Sequence, residues 1–196
     1  MKLVKFTPLL LATALLALTA CAAKPTRDAD THFGLTANIA PTSFGTTETV
    51  SLRRVEIRGV QSGRALVHIV SDNPPQYQEA RGYFWHVATP TLLGRAFDEA
   101  LQQASTDAVF GTNATLQDAD YSYIVDVETF AFEPNGDARL VATIVVKDQQ
   151  NGIVLSERYA TTAPVSASSA TGGVTALSKA VSAAVALFAA DLAAAI

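Results

Sequence analysis

The sequence predicts a single α+β domain: a mostly antiparallel sheet, with a mixed arrangement left open, and two helices packed against it. Three observations lead there. First, residues 120–165 alternate with period two. Tyr121, Tyr123, Val125 and Val127 share one face of a strand, and Leu140, Ala142, Ile144 and Val146 line the strand that returns. Pro134-Asn135-Gly136-Asp137 and Asn151-Gly152 supply the turns of a three-stranded meander. The Asn-Gly pair predicts a type I′ turn with two positive φ angles. Second, Leu92, Leu93, Ala96, Phe97, Ala100, Leu101 and Ala104 recur at helical spacing, with Arg95, Asp98, Glu99, Gln102 and Gln103 facing away. Third, Val174 to Ile196 forms an Ala-rich helix with a stripe of Val174, Leu177, Val181, Ala184, Val185, Phe188 and Leu192.

The remaining elements follow in order. Ala22 to Asp30 is short, charged and contains Pro25, which suits a tether. His32-Phe33-Gly34-Leu35 is an apolar patch expected to dock as an edge strand, and the polar run to Glu48 reads as loop. Val50–Arg58, Arg64–Val70 and Tyr77–Trp85 favour strands. The middle one is apolar on both faces except His68, and so belongs inside a sheet. Asp72-Asn73-Pro74-Pro75 must turn. Thr89-Pro90 opens the first helix, the threonine read as N-cap and the proline as the first helical residue. Ala108 to Gly111 is a short strand, and Pro164 to Gly173 a loop. The terminal helix carries only Ser178, Lys179, Ser182 and Asp191 opposite its stripe. Its second side is either a solvated alanine face or a contact with another copy of the chain. Asp191 and the many alanines argue against a membrane span.

Met1 to Ala20 has the form of a secretory leader, with Lys2 and Lys5 at its start and an apolar run from Pro8 to Leu18. That run is too short to cross ~30 Å of hydrocarbon. Leu18-Thr19-Ala20-Cys21 resembles the lipobox of bacterial lipoproteins, which implies cleavage before Cys21 and acylation of its thiol and amine, a palmitate-type lipid anchor. Cys21 is the only cysteine. A free thiol after an ordinary leader is the weaker reading, since it would be reactive in an oxidising compartment. One acyl chain holds marginally, so a two- or three-chain anchor makes the attachment stable. Ala22 stands where an aspartate would resemble an inner-membrane retention signal, so the expected address is the outer membrane, facing the periplasm, in preference to the inner membrane. The chain divides into a leader at 1–20, a lipidated tether and loop at 21–48, and the α+β domain at 49–196.

Without the leader, 12 basic face 18 acidic side chains, a balance that argues against nucleic acid as a partner. No cysteine remains for a disulfide, so the apolar core must hold the fold. Chemistry is poorly provided for. His32, His68 and His86 lack ligand spacing, no metal or other cofactor is implied, and neither a Gly-x-Ser-x-Gly nor a phosphate-binding loop is present. Asp126 and Glu128 share a strand face. They serve as an acid–base pair only on a weak-hydrolase reading, against the plainer one of a solvated stripe. Arg53, Arg54, Arg58, Arg64 and Arg81 make the first half locally basic, either as a solvated face or as one that meets lipid headgroups or an acidic partner. Tyr83, Phe84, Trp85 and His86 are the candidate partner-contacting residues, with core packing as the rival account of the aromatics.

Taken in order, several segments resemble the auxiliary lipoproteins of ABC-type transport systems, the group that includes paraquat-inducible protein C. They are the lipobox, Phe33-x-Leu35, Phe84-Trp85 before a helix begun by Pro90-Thr91-Leu92-Leu93, and Asp120-Tyr121 entering a strand with Glu128 and Phe130. A glycine turn, Asn151-Gly152, Ile153-Val154-Leu155, Arg158-Tyr159 and the Ala-rich terminal helix complete the series. The resemblance implies a non-enzymatic, periplasm-facing docking or assembly component of a transenvelope lipid transport system that preserves membrane integrity. Its partners would be an ABC permease and ATPase and MCE-domain proteins. The rival expectation is a structural outer-membrane lipoprotein supporting β-barrel assembly or cell-wall attachment.

Overall fold

The computed structural model describes residues 29–196. The leader, Cys21 and the tether up to residue 28 lie outside the described residues. The elements are β1 (Thr31–Phe33), β2 (Thr49–Ile57), β3 (Ala65–Asp72), β4 (Pro75–Trp85), α1 (Thr89–Ala104), β5 (Val109–Thr112), β6 (Tyr121–Phe132), β7 (Asp137–Asp148), β8 (Ile153–Pro164) and α2 (Ala170–Ala195). A turn of 3-10 helix, Gly59–Ser62, sits between β2 and β3.

All eight strands form one mixed sheet. The expected meander is present as antiparallel β6, β7 and β8, and β3 and β4 make an antiparallel hairpin. Parallel joins complete the sheet: β2 lies between β5 and β6, and β1 lies along the end of β4. β6 is the spine. Its free edge takes β2 from Tyr121 to Val127, and after a bulge at Val127/Thr129 it meets β3 at one register pair, His68 with Phe132. Sheet residues β3, β4 and β1 therefore form a wing beyond the end of β2.

Both helices cover one face, α1 over β2 and β5 and α2 over β7 and β8, and they touch each other. Between them and the sheet lie Tyr123, Val125, Leu140, Ile144, Leu93, Phe97, Leu101, Val181, Val185 and Phe188, all buried. Burial of each large apolar side chain is worth roughly 1.5–3 kcal/mol, which makes this layer the main source of stability. α2 has the length and apolarity to cross a membrane, yet its Val181, Val185 and Phe188 are fully buried in this layer. The described part of segment 21–48 also packs on the body. β1 joins the sheet, and Leu35, Ala37 and Phe44 are buried in the core.

Three local readings need correction. Thr89 is not the N-cap of α1. Ala88 holds that position, and the buried Thr89 uses both its N–H and its hydroxyl, at 3.0 and 2.8 Å, to bond the Gly63 carbonyl and tie the helix start to the loop before β3. The Asn151-Gly152 turn is not type I′, because only Asn151 has a positive φ, of 64°. The Asp148 N–H donates to Gly152 O and the Asn151 N–H to Asp148 O, which gives a three-residue loop with asparagine at its left-handed position. Finally, α2 begins four residues earlier than expected, capped by the Ser169 hydroxyl accepting from the Gly172 N–H at 3.1 Å. Gly172 and Gly173 belong to its first turn because that turn presses against Phe132 and residue 167, where no β-carbon fits.

Candidate functional site

The aromatic quartet at the end of β4 divides by the alternation of the strand. Trp85 turns into the core, 2% exposed, and stacks on Phe130 with ring centroids 5.6 Å apart. It is a packing residue, and its expected role in contacting a partner is withdrawn. Tyr83 shares its side but lies nearer the rim, 40% exposed and 6.2 Å from the Phe33 ring. Phe84 points to the other side, half-buried, 5.8 Å from the ring of exposed His32. His86 is exposed, and both its backbone N–H (2.9 Å) and its Nδ1 (3.1 Å) lie at the Phe33 carbonyl. It therefore fastens β1 to β4 when Nδ1 carries the proton.

The result is a sheet edge with aromatic rings on both sides. Beside it runs a groove of ≈ 510 Å³ lined by Asp30, Ala65, Glu79, Ala80, Arg81 and Phe84. His32 and Arg64 border an adjoining hollow, again against Phe84. The Arg64 Nε donates to the Trp85 carbonyl at 3.3 Å, which directs the guanidinium along the edge. Arg64 and Arg81 are exposed, and among the described residues no carboxylate lies within 4.0 Å of either. The sequence signalled this edge through its arginines and aromatics, but not that β1 would bring His32 and Asp30 to it.

The helix-free sheet face carries the other candidates. Arg158 grips Glu128 through two bonds, Nε to Oε1 at 2.9 Å and Nη2 to Oε2 at 2.8 Å. These donors hold the Glu128 carboxyl below its ordinary value. A general acid at neutral pH needs the opposite shift, so Glu128 is built as an ion-pair partner. Asp126, one register step from Arg158 across Thr143, is exposed. Arg139 similarly clasps Asp72 through two 2.9 Å bonds and also contacts Glu133, joining the β3–β4 turn to the β6–β7 turn. Among the described residues no group of three His, Cys, Asp or Glu is placed to hold a metal ion.

The fold defines an α+β domain, a helix-backed mixed sheet, and the sequence ahead of it carries a lipobox-like leader. The chain belongs to the family described as the ABC-type transport auxiliary lipoprotein component, whose sequence pattern matches residues 33–191. No curated protein sequence matches it. Among solved structures it is similar to protein XCC0632 from Xanthomonas campestris, of family DUF330, with a TM-score of 0.67 at 13% identity over 81% of this chain and 92% of that one. A second crystal structure, of an uncharacterized protein, gives 0.67 at 13% identity over 84% of this chain and 99% of that one. PelC from Paraburkholderia phytofirmans, a dodecamer, gives 0.40 at 14% identity over 75% and 92%. For the first two, at such identities, the likeness is one of fold.

Proposed function

We propose that the protein is a non-enzymatic docking component of an MCE-type transenvelope lipid transport system, anchored in the outer membrane through acylated Cys21 and facing the periplasm. The observation that carries this reading is the family match over residues 33–191, directly downstream of a leader ending in Leu-Thr-Ala-Cys. Ala22 after the cysteine supports the outer membrane as its address. Partners are the ABC permease and ATPase and MCE-domain proteins. Of the residues expected to contact a partner, exposed His86 is the one that makes protein contact. A second copy of the chain is a further partner, supported by the exposed stripe of Ala183, Ala186, Leu187, Ala190 and Ala194 on α2, where Leu187 is 51% exposed.

Crosslinking in intact cells followed by purification through the acylated protein tests the reading. Recovery of MCE or ABC components is the expected outcome. Recovery of a β-barrel assembly protein or peptidoglycan alone would replace it with the structural role.

A further inference from the structure

We propose that the β1–β4 edge lies on an anionic phospholipid surface, with Arg64 and Arg81 on the headgroups and Tyr83 and Phe84 at headgroup depth. The inference rests on the reading of Cys21 as the acylated anchor, and adds to it which side of the body meets the membrane.

Chain length is the first argument. Eight residues separate Cys21 from Asp30, and such a segment spans at most about 30 Å. A globular body of this size is about 40 Å across. The tether is thus shorter than the body is wide, and it enters at Asp30, beside Phe84. The side opposite that entry is therefore out of reach of the bilayer, and the surface around the entry is within reach.

Charge and side-chain chemistry are the second argument. The chain as a whole is acidic, yet this edge presents Arg64 and Arg81 without an ion-pair partner among the described residues. Exposed Arg58 lies just before the 3-10 turn that packs against β4. Asp30 and Glu79 are the acidic groups here, equal in number to Arg64 and Arg81 and outnumbered once Arg58 is counted. Each arginine near an anionic leaflet contributes roughly five-fold to surface occupancy. Tyr83, 40% exposed, adds the apolar component, and tyrosine favours the interface between water and lipid. The edge position also matters. β1 covers only Tyr83 to Trp85 of β4, so along Gln78 to Gly82 the backbone N–H and C=O groups that do not turn toward β3 have no neighbouring strand. Hydrated headgroups can bond them and hydrocarbon cannot, so contact stops at the headgroups.

The test uses the full, acylated chain in vesicles of phosphatidylcholine, with or without phosphatidylglycerol. With Cys21 blocked by lipid, Thr31→Cys and, as a control on the exposed face of α1, Gln103→Cys each offer one thiol for a fluorophore. Acrylamide quenching then reads exposure. The proposal expects protection at residue 31 only, greatest with phosphatidylglycerol, and reduced roughly five-fold in bound population by Arg64→Gln or Arg81→Gln. An anchored protein whose residue 31 stays as open as residue 103 overturns it. Equal protection on both vesicles, or protection that appears only when an envelope protein is added, also overturns it. Flotation of the unlabelled chain separates the two levels: a protein that does not float with vesicles refutes the anchor, and the orientation falls with it.

Discussion

Gly173, in the first turn of α2, faces the ring of Phe132 at the end of β6 so closely that a β-carbon would stand 2.6 Å from the ring. The ring cannot retreat, because Phe132 is 4% exposed and pairs across the sheet with Ala138 and His68.

Gly173→Ala is expected to cost about 1–3 kcal/mol through overpacking. Thermal unfolding measures it, and Phe132→Leu in the same chain should recover part of the loss. An unchanged melting temperature would mean that the helix start can shift without penalty.

Two buried tyrosines should respond oppositely to loss of their hydroxyls. The Tyr159 hydroxyl donates to Asp191 at 2.9 Å, so Tyr159→Phe should cost about 1 kcal/mol. Among the described residues the fully buried Tyr123 hydroxyl has no partner, and neither does Asp98 Oδ1. Burial first, and then the Asp98 charge, raise the Tyr123 pKa, while burial raises that of Asp98. Removing an unpaired buried hydroxyl should be neutral or stabilising. Denaturant midpoints of the two variants would settle the ordering, and a larger loss for Tyr123→Phe would reverse it.

Asp107 receives the Ser43 hydroxyl at 2.6 Å and the Phe44 and Gly45 N–H groups at 2.8 and 2.9 Å. The Ser43 bond first, then the backbone donors, lower its carboxyl from 3.8 to about 2. A folded value below the unfolded one gives stability that is complete above pH ~4 and is lost as pH falls toward ~2. Urea unfolding across that window should show a shallower pH dependence for Asp107→Asn than for the parent chain. Identical slopes would remove Asp107 as the pin of the loop before β2.

The Asp126→Ala/Glu128→Ala double variant should fold and should complement a deletion strain as well as the parent does. Loss of complementation by a folded protein would reopen the hydrolase reading.

The meander, the two helices and the edge strand at Phe33 were legible in the sequence because each follows from local periodicity and turn residues. The parallel joins were not. β2 meets β6 across some seventy residues, and no local signal marks such a pairing. Thr89 and Gly172-Gly173 misled for a related reason: both satisfy local rules for a cap and a loop, but distant partners, Gly63 and Phe132, decide what they do. At the candidate site, composition identified the aromatics and arginines, while the strand's alternation in three dimensions was needed to separate core Trp85 from outward Tyr83 and Phe84.

The wing of β3, β4 and β1 shares one register pair with the spine, and side chains make the rest of the join: the Trp85–Phe130 stack, the Val67–Ile69–Ala131 cluster, the Tyr77–Thr129 contact and the Arg139–Asp72 clasp. The body is therefore stiff under its helices and compliant at the hairpin, and amide exchange should reach the hairpin first. A load applied at that end would reach the helix-covered layer through Leu66 and Trp85, the wing's side chains in the main core.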